Sequence, residues 1–147
     1  MSNALVPELA ITDYPTSRAF YCEILGFNYL YERPEEGFGY LRLGTAELML
    51  DQIGAGRTFD AGHRPSAYPF GKGINLQIRI PSIAPLHVAL SQANHSLVLP
   101  LEDKWYRIDD HEEGNRQLMI ADPDGYLLRF YEDLGRRPIP PARDKHR

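Results

Sequence analysis

The sequence has few of the residues that cross-link small proteins or bind metals through sulfur. It contains one cysteine, Cys22, which excludes a disulfide framework within the chain and any site built from several thiolates. No apolar run approaches the roughly 20 residues that a membrane-spanning helix needs, and no secretion signal is visible. Together with the single free thiol, these absences predict a cytoplasmic protein without a membrane partner.

An excess of positive charge is also missing. The formal net charge is -4 and the pI is near 5.7, which disfavours nucleic acid as a partner because its binding needs clustered basic residues. A cationic ligand suits this charge balance better. Hydrophobic residues make up 43% of the chain and charged residues 24%, as in ordinary soluble domains, so the composition predicts one packed domain.

The first third of the chain predicts a strand, a helix and three further strands. Residues 5–11 form a strand candidate, and Asp13 is suited to cap a helix whose apolar residues repeat at i, i+4 over 16–25. Gly26 would then end the helix. Three strand-like segments follow, at 27–31, 38–43 and 46–51.

The same order begins again after residues 53–72, a segment that lacks periodicity and is rich in glycine and proline. A strand is predicted over 74–80, followed by a helix with Ser82 as its N-cap and Asn94 as its left-handed stop. Three strands come next, at 97–101, at 104–108, and at 117–121 leading through the turn sequence Asp122-Pro123-Asp124-Gly125 into 127–131.

The pattern therefore predicts an α+β fold of two βαβββ modules, at about 5–52 and 73–133, with residues 53–72 as the linker. Both modules belong to a single domain over residues 1–135, and the basic, proline-rich residues 136–147 predict a disordered tail. Because a four-stranded sheet buries only one face well, the two modules are expected to pair, within the chain or between chains.

Three stretches carry a family likeness: Asp13 with residues 17–21 and 25–27, the turn at 122–126, and the opening segment Val6-Pro7-Glu8-Leu9. They resemble the vicinal oxygen chelate superfamily, which includes glyoxalase I, extradiol dioxygenases, fosfomycin resistance enzymes and bleomycin resistance proteins. The likeness spans Val6 to about Asp133, and the opening segment is similar to the bleomycin resistance branch in particular. The resemblance implies a cupped mixed sheet and a homodimer.

The enzymes of this superfamily hold a divalent metal through one inward-facing residue on each of four strands. At the matching positions this chain has Val6, Met49, Asn75 and Arg129. Hard divalent cations need carboxylate, imidazole or water-supported oxygen ligands, and the five histidines show no spacing that would rebuild such a site. We therefore predict no metal, no cofactor and no catalytic residue. The alternative is a glyoxalase-like or dioxygenase-like enzyme of the same superfamily with a relocated metal site.

Bleomycin resistance proteins bind their drug in grooves between the chains of a homodimer, where aromatic rings and acidic groups suit a planar cation. The resemblance implies that this chain sequesters a bulky aromatic, cationic, antibiotic-like small molecule. Phe38 matches a groove phenylalanine of that branch and Tyr40 shares its strand face, although both also suit an ordinary core. The predicted ligand-binding residues are Phe38, Tyr40, Met49, Trp105, Tyr106 and Arg129.

Departures from that branch leave alternatives open. Its second stacking tryptophan corresponds to Gly114, and the only tryptophan here, Trp105, lies one strand earlier. Either Trp105 rebuilds the aromatic platform from another direction or the ligand differs from bleomycin. Pro7 matches a hinge proline that sends the first strand to the partner chain, or it lies in an edge strand that stays within its own chain. A protein-interaction module without a small ligand is a third hypothesis.

Overall fold

The computed structural model describes residues 2–56 and 61–141 and contains two βαβββ modules. The first module consists of β1 (Glu8–Ile11), α1 (Tyr14–Ala19), a π-helical turn (Phe20–Ile24), β2 (Asn28–Arg33), β3 (Phe38–Leu43) and β4 (Ala46–Gln52). The second consists of β5 (Asn75–Arg79), α2 (Ala84–Gln92), β6 (Leu99–Ile108), β7 (His111–Ala121) and β8 (Leu127–Pro138).

Each module forms its own four-stranded mixed sheet. The strand orders are β1-β4-β3-β2 and β5-β8-β7-β6, so the two sheets have the same topology. The pairs β1–β4 and β5–β8 are parallel and the other neighbours are antiparallel. This arrangement confirms the predicted α+β fold of two βαβββ modules. Among the described residues, no helix is both long enough and apolar enough to cross a membrane.

The first helix begins and ends as its sequence predicts. The carboxylate of Asp13 accepts a hydrogen bond from the Thr16 N–H at 3.0 Å, and Pro15 occupies the first turn, where no intrahelical N–H is needed. The helix continues into a π-helical turn, in which the Leu25 N–H donates to the Phe20 carbonyl. Gly26 then adopts φ 86°, the left-handed conformation that ends the helix.

The second helix begins differently from the prediction. Ser82 is not its N-cap: Ile83 holds that position and makes no side-chain cap bond. The Glu132 carboxylate instead accepts a hydrogen bond from the Ile83 N–H at 2.9 Å, so a residue of β8 satisfies a donor that we assigned to a local serine. Asn94 has φ 53° and confirms the predicted left-handed stop.

The last three strands are longer than predicted. Residues 99–101 and 104–108 of two predicted segments belong to one strand, β6, and β7 begins at His111 rather than at residue 117. β8 continues to Pro138, so residues 136–138 lie in the sheet and not in the predicted disordered tail. Residues 142–147 of that predicted tail are outside the described part of the chain. These outer strand segments are polar, and cross-strand ion pairs such as Arg137–Glu112 at 2.8 Å replace the apolar alternation that marks a buried strand.

The two sheets share one hydrophobic core, which holds the modules together. Polar contacts between the modules flank this core: the Tyr21 hydroxyl donates to Asp122 at 2.7 Å, and the Tyr126 hydroxyl donates to the Ala10 carbonyl at 2.8 Å. Because the core lies on the helix side of both sheets, the other face of each sheet is left open. Residues of the core include Leu9, Ile11, Leu41, Leu50, Ile78, Leu118, Ile120, Leu128 and Phe130.

Candidate functional site

Each sheet presents one open face, on the side away from the shared core. Side chains alternate along a strand, so residues between the core positions point to this side. The first open face includes Glu8, Tyr31, Arg33, Phe38, Tyr40, Met49 and Asp51. The second open face includes Gln77, Arg79, Tyr106, Glu113, Asn115, Gln117, Arg129, Tyr131 and Asp133.

A stack of aromatic rings covers the β2–β3 side of the first open face. The rings of Tyr31 and Tyr40 stack with centroids 5.3 Å apart, and Phe38 lies 6.0 Å from Tyr31. Tyr31 is 50% exposed, whereas Phe38 and Tyr40 are 7% and 6% exposed. The two predicted aromatics are thus buried under Tyr31 and outside the shared core, and Tyr31 is the ring that a ligand can reach.

A pocket of about 350 Å³ lies beside this stack, lined by residues that include Phe38, Met49 and Arg33. Met49 pairs with Tyr40 on the antiparallel side and with Glu8 on the parallel side, which places it at the centre of the sheet. The Arg33 guanidinium lies 4.1 Å from the centre of the Phe38 ring. Its Nε is 2.8 Å from a Glu36 carboxylate oxygen, so the charge of Arg33 is already balanced by a neighbour.

Two carboxyl groups, Glu8 and Asp51, lie at the β1 edge of the same face. Burial raises the pKa of Asp51, and a hydrogen bond with Glu8 opposes that rise. Both residues also line a second pocket, of about 520 Å³, between β1 and residues 62–72. With Glu36, the first pocket has three carboxyl groups and one guanidinium in its lining. Even when the hydrogen-bonded Glu8 and Asp51 share one proton, the negative charges outnumber the guanidinium, so the local charge favours a cation.

The second open face is more polar and lines a pocket of about 390 Å³. The buried Gln117 donates from Nε2 to the Tyr106 hydroxyl at 2.8 Å and to a Glu102 carboxylate oxygen at 3.0 Å. Because the Tyr106 oxygen accepts this bond, its own proton is free to donate elsewhere. Arg129 donates from Nη2 to Gln77 Oε1 at 2.6 Å, across the parallel pair of β5 and β8.

Trp105 lies on neither open face. Its side chain lies on the opposite face of β6 from that of the adjacent Tyr106. Its cross-strand partner is Gly114, and the indole fills the space that a side chain at residue 114 would take. The Arg137 guanidinium lies 4.2 Å from the centre of the Trp105 ring on that side. The structure therefore separates Trp105 from the other predicted ligand-binding residues, and its role in binding stays a prediction.

The remaining predicted site residues fall into two groups. Phe38, Tyr40 and Met49 share the first open face, and Tyr106 and Arg129 share the second. Sequence reasoning missed Tyr31, the exposed ring of the first open face, whose position is shown by its pairing with Tyr40. A bulge between Tyr29 and Tyr31 changes the alternation of β2, so that pairing is hidden from a simple period of two.

The four positions at which the superfamily's enzymes hold a metal do not fit a divalent cation here. In the structure, the parallel-strand partner of Met49 is Glu8 and that of Arg129 is Gln77. These partners lie two residues after Val6 and Asn75, the positions matched from the sequence. Neither the set with Val6 and Asn75 nor the set with Glu8 and Gln77 supplies the oxygen and imidazole ligands that such a cation needs. In both sets Arg129 contributes a positive charge. Within residues 2–56 and 61–141, no group of three or more His, Cys, Asp or Glu side chains is placed to bind a metal.

A family model described as the Glyoxalase/Bleomycin resistance protein/Dioxygenase superfamily matches residues 4–130. The chain belongs to this superfamily. Its match covers both βαβββ modules, from before β1 into β8, so the assignment rests on the whole repeated fold. A search of curated proteins found no match.

Solved structures of the superfamily fold are similar to this chain over most of its length. TioX from Micromonospora sp. ML1 is 22% identical, with a TM-score of 0.69 over 90% of this chain and 100% of TioX. A superfamily member from Vibrio splendidus 12B01 is 36% identical over 87% of this chain and 97% of its own, with a TM-score of 0.39. The fosfomycin resistance protein FosX from Listeria monocytogenes is 13% identical, with a TM-score of 0.57 over 89% and 91%.

Proposed function

We propose that this protein is a metal-free, cytoplasmic binding protein of the bleomycin resistance type. It sequesters a bulky aromatic, cationic, antibiotic-like molecule and does not transform it. The ligand occupies a groove between two copies of the chain, and the working unit is a homodimer. The superfamily's own description includes bleomycin resistance proteins, so this function lies within the range of the family.

The observation that carries the proposal is the half-exposed ring of Tyr31 on the first open face, stacked on Tyr40 and close to carboxylates. A flat ring offers a stacking surface to a planar ligand, and a cation above such a ring gains further attraction. Glu8 and Asp51 supply negative charge at the edge of the same pocket. An aromatic platform beside acidic groups is the combination that a planar cation needs.

The proposed groove needs two chains because each open face supplies half of it. The pockets of the first and second open faces have no lining residue in common, and the shared core lies between the two sheets. A ligand bound to one face of a single chain would be covered by protein on one side only, and its other side would stay exposed to solvent. If the first open face of one copy lies opposite the second open face of another, each ligand is enclosed on both sides and the dimer has two equal grooves.

The test is a titration of the purified protein with bleomycin and with a planar aromatic amine, 9-aminoacridine, followed by isothermal calorimetry and thermal unfolding. A ligand that binds only the folded protein raises its melting temperature, and we expect saturation at one ligand per chain with the ligand recovered unchanged. Absence of binding to both compounds would refute the proposal, and recovery of a chemically altered ligand would favour an enzyme.

The metal-dependent alternative is tested on the same sample. Elemental analysis after dialysis should find no stoichiometric divalent metal if the first proposal is right. A metal retained at one ion per chain would instead support an enzyme with a relocated site. Such a site would then be located by replacing Glu8 and Asp51, the carboxyl pair on the first open face, and measuring the metal content again.

A further inference from the structure

We infer that the second open face is an anion subsite, in which Arg79 and Arg129 take a carboxylate, phosphate or sulfate group of the ligand. This inference rests on the proposed function and extends it: the ligand carries an anionic group in addition to its aromatic and cationic parts. The metal position that the superfamily uses is then replaced by a guanidinium, so the face binds an anion directly instead of through a cation.

The first step of the argument is that these two guanidiniums lack a carboxylate partner. Arg79 and Arg129 lie on the adjacent strands β5 and β8 and line the same pocket. Arg129 donates to an uncharged amide, that of Gln77, and within the described residues neither arginine forms an ion pair. By contrast, the described arginines that do pair with a carboxylate are Arg18, Arg33, Arg42, Arg116, Arg136 and Arg137.

The second step concerns a donor that the fold leaves unsatisfied. The Nε of Arg129 is buried and has no hydrogen-bond partner in the described part of the chain. The Nη2 atom of the same guanidinium lies in an exposed setting and bonds only an uncharged amide, so an acceptor from outside the chain would meet the charge on that side. A guanidinium presents its donors in a planar fork, which matches the oxygens of a carboxylate or phosphate.

The third step concerns a neutral donor in the same pocket. The Tyr106 hydroxyl accepts from Gln117 Nε2 at 2.8 Å, and this bond leaves the hydroxyl proton free to point into the pocket. Two guanidiniums and one hydroxyl thus line one pocket of about 390 Å³. Several donors converging on one space are typical of sites for oxyanions.

Two carboxylates, Glu113 and Asp133, also line this pocket, and each has a partner elsewhere. Glu113 lies 3.7 Å from an Arg136 nitrogen and 3.5 Å from the His111 ring. The Asp133 carboxylate accepts the Gly135 N–H at 2.8 Å. Glu113 therefore has a cationic partner in Arg136, whereas Asp133 keeps its negative charge two residues beyond Tyr131, the β8 partner of Arg79.

The experiment uses phenyl phosphate as the anionic aromatic probe, inorganic phosphate as the bare anion and 9-aminoacridine as the aromatic cation. Calorimetry compares the wild-type protein with Arg79→Gln, Arg129→Gln and the control Arg107→Gln. Arg107 is an exposed arginine of β6 without an ion pair in the described residues, and it lies on the face opposite to Tyr106. Arg107→Gln therefore removes one positive charge, as the other two substitutions do, without altering a residue of the subsite.

We expect Arg79→Gln and Arg129→Gln each to weaken phenyl phosphate binding by about tenfold or more, the usual effect of losing a charged hydrogen bond. Arg107→Gln should stay within about twofold of wild type, as expected for a surface change. Inorganic phosphate should compete with phenyl phosphate, and 9-aminoacridine binding should survive all three substitutions. Thermal unfolding checks that Arg129→Gln is folded, and the exposed Arg79 gives an independent variant.

Three results would overturn the inference. The first is wild-type protein that binds 9-aminoacridine but not phenyl phosphate, which leaves the proposed function intact. The second is an equal loss of affinity in Arg107→Gln, which means that only the overall charge matters. The third is wild-type protein that binds neither aromatic probe; if it also fails to bind bleomycin, the proposed function fails as well.

Discussion

The ring of Tyr31 lies on the ring of Tyr40 with centroids 5.3 Å apart and planes inclined by 23°. The two residues are cross-strand partners on β2 and β3, and only Tyr31 is open to solvent. Tyr31→Ala should therefore weaken binding of 9-aminoacridine by about 1–3 kcal/mol, the cost of losing an aromatic anchor. Calorimetry of the variant measures this difference directly.

The matched control for that variant is Tyr29→Ala. Tyr29 is 48% exposed, close to the 50% of Tyr31, but its ring lies under the Arg18 guanidinium at 4.4 Å. Arg18 also pairs with Glu32 at 2.9 Å, on the helix side of the sheet. The Tyr29 variant should keep the wild-type affinity. Equal losses for both tyrosines would remove Tyr31 from the site.

Binding of an aromatic cation should depend on the ionisation of Asp51. Burial raises the pKa of this carboxyl above its ordinary value of about 3.9. Because only the ionised carboxylate attracts a cation, affinity should fall as the pH drops through the raised pKa, starting at a higher pH than for an ordinary aspartate. A calorimetric titration of 9-aminoacridine at a series of pH values measures this fall.

Asp51→Asn should bind the cation more weakly at neutral pH and should lose this step of the pH profile. Asp103→Asn is the control, because Asp103 pairs with Arg116 at 2.8 Å on the opposite face of β6. An unchanged pH profile in Asp51→Asn would show that another group controls cation binding.

The contact between Tyr21 and Asp122 should contribute to the stability of the folded chain. The Tyr21 hydroxyl is fully buried and donates to Asp122 at 2.7 Å, and the same carboxylate accepts the N–H groups of Asp124 and Tyr126. Asp122→Ala leaves all three donors unsatisfied and should lower the free energy of unfolding by roughly 2–4 kcal/mol. Urea denaturation measures this difference.

Tyr21→Phe provides the comparison, because it removes only the hydroxyl and keeps the buried ring. It should cost about 1 kcal/mol, less than Asp122→Ala, since both backbone bonds to the carboxylate remain. Wild-type stability of Asp122→Ala would show that water replaces the carboxylate in this turn.

Gly114 should be needed for the position of Trp105. A Cβ atom at residue 114 would lie 2.8 Å from indole atoms, so Gly114→Ala forces the ring to move. Trp105 is the only tryptophan, and the protein's tryptophan emission therefore reports on this ring alone. The emission should shift to longer wavelength as the indole loses its packing against β7, and an unchanged spectrum would mean that the ring does not lie over Gly114.

The order of the elements could be predicted from the sequence because it depends on local signals. The Asp13 cap, the Gly26 stop and the left-handed Asn94 all act within a few residues of the chain, and the structure confirms each. The Ser82 cap was wrong because Glu132, which is distant in sequence, satisfies the same end of the helix. Local patterns do not show such long-range partners.

The candidate site was predictable only in part, for the same physical reason. Phe38, Tyr40 and Met49 follow regular alternation on β3 and β4, so their shared face could be inferred. Tyr31 comes after a bulge in β2, and its face is fixed by pairing with β3. Arg79 was not predicted because the sequence does not show whether a strand arginine forms an ion pair in the folded chain.

The most direct test of the composite groove is a mixed-dimer experiment with two binding-deficient chains. Tyr31→Ala damages the first open face and Arg129→Gln damages the second. In a dimer of these two chains, one groove contains both substitutions and the other contains none. A double variant mixed with wild-type chains is the control, because each of its mixed dimers has one substitution in every groove.

The measurement is binding of phenyl phosphate, whose ring is expected to stack on Tyr31 of one copy while its phosphate meets Arg129 of the other, after the chains have been unfolded together and refolded. If each groove joins the first open face of one copy to the second open face of the other, the mixture of single variants recovers wild-type affinity in one groove of each mixed dimer. The double-variant mixture gains no such grooves beyond those of its remaining wild-type dimers. No recovery in the mixture of single variants, under conditions where mixed dimers form, would contradict the composite groove.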